Sequence, residues 1–281
     1  MRLALLGIVI NVALSVVKLL AGYFGHSYAL IADGIESTLD IAGSFIIWGG
    51  LKVASMPADA DHPYGHGKAE PMAAIIVACG VLAAAFGLAA QSIHEVFAPH
   101  HTPAVFTLVV LIVVVITKEI LYRVVMAQGE RMQSTAIKTD AIHHRSDAIT
   151  SIAAFIGISI VLIGGKKWEA ADNWAALFAC VLIAWNGVQL LKPAISEIMD
   201  TAPPKDFEIH VRSAAQSVEG VGNVQQCRIR KMGLEFYVDL HVWVDGGMSV
   251  LEGHNIAHAV KDAIRQSNPA IADVLVHIEP H

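Results

Sequence analysis

Six apolar blocks, at roughly 3–24, 28–54, 70–95, 104–126, 141–164 and 171–198, dictate what this chain can fold into. Each holds about 20 residues or more, and at about 1.5 Å per helical residue that length crosses the ~30 Å hydrocarbon core of a bilayer. The blocks therefore predict six transmembrane helices. Composition agrees, because 55% of the 281 residues are hydrophobic and only 16% charged, far less polar than a soluble chain of that length. Arg2, Lys52, Lys68, Arg123, Arg131, Lys138, Lys192 and Lys205 fall at the N-terminus, the even connections and the tail, and only Lys166 and Lys167 fall on the other side. By the positive-inside rule both termini face the cytoplasm. No cleavable signal is evident, since the first block is long and lacks a small-residue cleavage site.

Carboxylates and imidazoles inside these blocks carry the chemistry. Glu36 and Asp40 are four apart in Asp33-Gly-Ile-Glu-Ser-Thr-Leu-Asp40, and His143 and Asp147 are four apart in Asp140-Ala-Ile-His-His-Arg-Ser-Asp147. On a helix, that spacing stacks each pair on one face, with Asp33 on the same side as Glu36 and Asp40. Two such helices facing each other gather four ligand-type groups, which suit one divalent cation of the zinc, iron or manganese group. Left unpaired, Glu36, Asp40 and Asp147 would together cost on the order of 8–10 kcal/mol in the membrane, so an ion, protons or a basic partner must offset them. Lys18, the one obvious basic candidate within the first two blocks, can snorkel or pair with a carboxylate of the second block, and snorkelling or bonding between helices is the plainer expectation. Lys118 lies towards the end of its block, where it can reach the interface.

Outside the spans, Met56-Pro-Ala-Asp-Ala-Asp-His-Pro-Tyr-Gly-His-Gly-Lys68 carries too many Pro and Gly residues for a helix and forms a shaped loop. Its Asp59, His62 and His66 are spaced to close around a cation. Two prolines, 203 and 204, then mark the passage to a small domain, with the membrane part taken as 1–200 and this domain as 201–281. In it, 206–218 reads as a helix, 223–231 as a strand, 234–244 alternates with a period of two as a half-buried strand, Ser249 and Glu252 form a capping box for a helix to about Gln266, and Val274, Val276 and Ile278 mark a last strand. The order αββαβ is an α+β ferredoxin-like architecture. His241, His254, His277 and Glu279 are plausible ligands on its polar side, or a merely solvated face. Cys79, Cys180 and Cys227 are scattered packing residues with no CxxC pair. A net charge of −6 gives no electrostatic reason to expect nucleic acid.

The segments at 33–40 and 139–147, the Asp-His-Pro-Tyr-Gly-His-Gly-Lys-Ala-Glu run at 61–70 and the six-span-plus-αββαβ layout resemble the cation diffusion facilitator family over essentially the whole chain. The resemblance implies a homodimeric exporter of divalent metal, in exchange for protons, in a bacterial inner membrane. It implies a transport site at Glu36, Asp40, His143 and Asp147, a cytoplasmic-loop site at Asp59, His62 and His66, and dimer-bridging sites at His241, His254, His277 and Glu279. The chain departs from the family where zinc- and iron-type members usually carry His or Asp in place of Glu36, and where Gln225 or Gln226 replaces a histidine of some relatives. Metal competes with protons for such ligands, so loading releases protons. Tetrahedral N/O coordination favours Zn²⁺, while one imidazole with three carboxylates also suits Fe²⁺, Co²⁺, Mn²⁺ or Cd²⁺. The metal is thus substrate and regulatory ion, and no catalytic cofactor is expected. An intramembrane metalloenzyme is the main rival, although no HExxH is present, and a membrane metal sensor is the second.

Overall fold

The computed structural model describes residues 2–97, 102–131, 135–168 and 170–281, with some side chains inside these ranges, including those of residues 135–143, outside the description. Six long helices come first: α1 (Arg2–Phe24), α2 (Tyr28–Ala54), α3 (Ala69–Phe97), α4 (Phe106–Arg131), α5 (Thr135–Gly164) and α6 (Ala171–Ile198). They fall on the six apolar blocks. Among the described residues, Ala69–Phe97, Asp147–Gly164 and Ala171–Ile198 are long and apolar enough to cross a membrane by length and composition alone, and Val9–Phe24 is a shorter apolar helix. The others carry ionisable groups near their middles, Asp33, Glu36 and Asp40 in α2 and Lys118 and Glu119 in α4. Large apolar side chains such as Phe86, Ile116, Ile156 and Phe178 are exposed on these helices, as expected of a bundle whose solvent is lipid.

Small residues set how closely the helices approach. A Cβ added to Gly43 would lie 2.8 Å from Val77 Cγ1, and one on Gly50 2.4 Å from the Ala73 Cβ, whereas Gly49 faces open space. The start of α2 is capped from another helix. Asp172, in the first turn of α6, accepts hydrogen bonds from Ser27 Oγ at 2.7 Å, from the Tyr28 backbone N–H at 2.7 Å and from the Ala29 N–H at 3.4 Å. Those are N–H groups an α-helix cannot satisfy internally at its first turn. At the other end, α6 continues through Pro193 to Ile198.

By packing, the chain forms two compact units, Met1–Phe45 with Ile76–Leu190, and Ile46–Ile75 with Leu191–His281. The second contains the α2–α3 connection and the small domain, built from α7 (Lys205–Gln216), β1 (Asn223–Met232), β2 (Glu235–Val244), α8 (Val250–Ser267) and β3 (Ile271–Pro280). The sheet order is β1-β2-β3, with β1 antiparallel and β3 parallel to β2. A parallel pair needs a crossover, and α8 supplies it. Its start has both halves of the capping box, Glu252 N–H to Ser249 Oγ at 3.3 Å and Ser249 N–H to Glu252 Oε2 at 2.7 Å. Along β2, Val238, Leu240, Val242 and Val244 are buried and pack with Val211 and Ala215 of α7 and Val260 and Ile264 of α8. The alternate residues of β2, His241 and Trp243 among them, therefore occupy the face away from the helices. Gly233, at φ 64°, makes the tight turn between β1 and β2.

Candidate metal sites

In the membrane unit, α2 presents an acidic face inward. Asp33 is 1% and Glu36 8% exposed, Asp147 of α5 is 6% exposed, and Asp40 is half-buried. Glu36 Oε2 is buried without a hydrogen-bond partner, and the charges acting on Glu36 are those of Asp40, Asp33, Asp147 and Lys18. An orphaned carboxylate oxygen among other carboxylates is costly in a low-dielectric setting unless a cation or proton joins it. The donor set fits a divalent cation on this ground. His143 lies on α5, one turn before Asp147, but its side chain is outside the described residues. The neighbouring His144 is buried.

Of two buried lysines, Lys18 takes the pairing with a second-helix carboxylate that the sequence left open, and Lys118 corrects the expectation. Lys18 does not snorkel: it is completely buried, 2.9 Å from Asp33 Oδ2, and donates to Ser37 Oγ at 3.1 Å. Asp33 also accepts from Ser151 Oγ at 2.7 Å and from Thr150 Oγ1 at 3.4 Å. Its carboxylate is thus taken up by α1 and α5, which sets it apart from Glu36 despite the shared helix face. Lys118 does not reach the interface either. It is 2% exposed, with its Nζ 2.5 Å from Asp147 Oδ2 and 3.0 Å from Asn11 Oδ1. The signal that could have found the Lys118 pairing is position: it is a lone lysine within an apolar run, where an ammonium that does not snorkel needs a partner on a neighbouring helix.

The α2–α3 connection brings Asp59, His62 and His66 together, each offering a ligand atom within 4.8 Å of the others. His62 Nδ1 lies 3.1 Å from Asp59 Oδ1, and His66 Nε2 lies 3.4 Å from Asp59 Oδ2. The His62 backbone N–H donates to Asp59 at 2.7 Å and holds its carboxyl below the ordinary value. The loop rests on the β1–β2 turn. Tyr237 donates to the Tyr64 carbonyl at 3.2 Å, and a Cβ on Gly67 would lie 2.5 Å from the Met232 carbonyl oxygen, so only glycine fits there.

In the small domain, His241, His277 and Glu279 form a second such group. Parallel register puts His241 opposite His277, and His241 Nδ1 lies 2.7 Å from Glu279 Oε1. Chiefly this contact, together with the Trp243 indole N–H at 3.2 Å, holds Glu279 below its usual value. His254 does not join them. It sits on α8, against His258 with ring centroids 4.5 Å apart, and α8 covers the opposite face of the sheet. Gln225 and Gln226 line a cavity of about 460 Å³ beside His241 and Glu279. Cys79, Cys180 and Cys227 are free thiols, and burial pushes that of Cys227 up to about 11, so it stays protonated and packs.

These features define a polytopic helical membrane protein with acidic groups inside its bundle and a small α+β domain carrying imidazole–carboxylate groups. Comparison with known proteins narrows the class. The model of the cation efflux transmembrane domain matches residues 4–199, and that of the cation efflux protein cytoplasmic domain matches 203–281. The chain is 28% identical over 284 residues to the manganese efflux system protein MneP of Bacillus subtilis, covering 100% of this chain and 96% of that one. It is 31% identical over 291 residues to metal tolerance protein C1 of Arabidopsis thaliana, covering 98% of this chain and 61% of that one. A solved structure of MamM-CTD matches 27% of this chain and 98% of its own at 27% identity, with a TM-score of 0.27. The chain belongs to the cation diffusion facilitator family. It is an integral membrane transporter for divalent metal cations, not an enzyme, and the metal is its substrate.

Proposed function

We propose that the protein exports a divalent transition metal from the cytoplasm in exchange for protons, by alternating exposure of a site formed by Glu36, Asp40, His143 and Asp147. The observation that carries this reading is the orphaned, buried Glu36 Oε2 in the field of Asp40 and Asp147. Metal and protons compete for these groups, so metal loading on one side releases protons and protonation on the other releases metal. Histidine, with a reference pKa of about 6.5, is the natural proton-coupled ligand.

In this reading the membrane part is 1–200 and the small domain 201–281. Both termini face the cytoplasm of a bacterium, the protein lies in the inner membrane among its lipids, and the chain works as a homodimer. His241, His277 and Glu279 bind metal on the open sheet face and favour the paired state, because an ion held between subunits stabilises only the associated form. His254, from the other layer, could complete such a site only from a partner chain.

Zn²⁺ is the first candidate on coordination grounds, with Fe²⁺, Co²⁺ and Cd²⁺ behind it. A second reading, Mn²⁺, is favoured by the three carboxylates of the donor set and by the manganese efflux relative, MneP. The test is competitive uptake of Zn²⁺, Fe²⁺, Mn²⁺, Co²⁺ and Cd²⁺ by proteoliposomes under an imposed pH gradient. Uptake of one ion that collapses with the gradient is expected. Metal movement indifferent to the gradient would remove the antiport, and no movement of any of the five would remove the function.

The loop triad is expected to matter less than the membrane site, since its ligands lie outside the membrane path. His62→Ala combined with His66→Ala should lower stability or metal response by a few-fold at most and leave transport measurable in the same vesicles. Complete loss in a normally expressed dimer would show the loop to be part of the pathway.

A further inference from the structure

Lys118 is a charged residue that the transport scheme does not use, and it sits on one of the scheme's own ligands. Its Nζ lies 2.5 Å from Asp147 Oδ2 and 3.0 Å from Asn11 Oδ1, with side-chain exposures of 3% for Lys118 and 8% for Asp147. We propose that Lys118 is a resident cation of the transport site, an ammonium that holds Asp147 until a divalent ion displaces it, and that it thereby sets both the affinity and the charge selectivity of transport. This inference rests on the assignment of Asp147 to the transport site.

The chemistry is a competition for one carboxylate. A metal ion coordinated by Asp147 needs an oxygen lone pair at about 2.0–2.2 Å, and an ammonium at hydrogen-bond distance already holds that oxygen. The two cations also repel at such range, the more so in a low-dielectric interior. Metal loading therefore moves the Lys118 ammonium off Asp147, with Asn11 Oδ1 as an acceptor that remains. A monovalent ion would replace the ammonium charge for charge and gain nothing, whereas a divalent ion brings a second charge to a site that also holds Glu36 and Asp40. The same competition serves release, since the returning ammonium neutralises Asp147 as the metal leaves.

Full-length protein in proteoliposomes provides the test, with Asp40→Ala as the reference for metal bound elsewhere. Lys118→Gln, which can still hydrogen-bond Asp147 and Asn11 without the charge, is expected to lower KM for the metal about tenfold or more and to lower kcat. Lys118→Arg should restore both towards the unmodified values. A purely structural lysine would instead raise KM or reduce the amount of folded protein. The unmodified chain supplies a measurement that needs no variant: replacing N-methylglucamine chloride by potassium chloride at constant ionic strength should leave metal affinity unchanged. Potassium competition in the unmodified protein, or a Lys118→Gln variant that folds and keeps the original KM, would overturn the proposal. If Asp40→Ala transports normally, it is the assignment of the transport site that fails, an outcome distinct from either of these.

Discussion

Asp40→Ala and Asp147→Ala are both expected to abolish metal-driven proton flux, by at least a hundredfold in vesicles, but they should part company in stability. Each removes a carboxylate from the proposed transport site, which the remaining donors cannot replace in charge. Asp147→Ala does more: it leaves the ammonium of Lys118 buried beside a methyl group, with Asn11 Oδ1 still an acceptor at 3.0 Å. Removing one partner of a buried ion pair costs about 3–5 kcal/mol, because the other charge stays desolvated. Asp147→Ala with Lys118→Met should therefore regain thermal stability in detergent while remaining inactive in transport. Wild-type flux in Asp40→Ala and in the double variant would falsify the assignment of both ligands. Glu36→Asp should be the mildest change, since it keeps the charge and shortens the reach by one methylene.

How far the sequence carries the argument depends on what kind of signal each feature leaves. Helix length and apolarity are local, and α2 and α6 begin and end where the apolar blocks do. The period of two in β2 and the capping box at Ser249 are local as well, and both appear as expected in the domain's core and in the start of α8. The loop triad was legible because its three ligands lie within eight residues of one another and the prolines and glycines between them bend the chain back. Partners on different helices leave no such trace. Nothing in the order of residues says that Lys118 of α4 meets Asp147 of α5, or that Asp172 of α6 caps α2, because each depends on how helices far apart in the chain pack. His254 shows the converse. Its residue type fits a ligand, but the crossover that makes β2 and β3 parallel puts α8 and the polar strand face on opposite sides of the sheet. Asp33 is the subtlest case. Periodicity places it beside Glu36, yet its carboxylate is engaged by Lys18, Thr150 and Ser151.

That engagement leads to a stability effect at Lys18 as large as the one expected at Asp147. The ammonium and the Asp33 carboxylate are 2.9 Å apart with side-chain exposures of 0% and 2%, and no route to water remains for either once the other is gone. Lys18→Met would leave the buried Asp33 carboxyl with the hydroxyls of Ser151 and Thr150 as its donors among the described residues, a loss of about 3–5 kcal/mol for a broken buried pair. The unfolding midpoint in detergent should fall well below that of the unmodified protein, with a matching drop in the amount of protein recovered from membranes. Replacing the whole pair is a different experiment. Two buried charges exchanged for apolar residues of similar size are often neutral in stability or better, so Lys18→Met with Asp33→Leu should recover most of the loss. That double variant also separates structure from transport. If Asp33 only joins α2 to α1 and α5, metal flux should return along with stability. If flux stays absent in a protein whose unfolding midpoint is restored, Asp33 takes part in carrying the ion, and the lysine pairing describes only the state in which no metal is loaded.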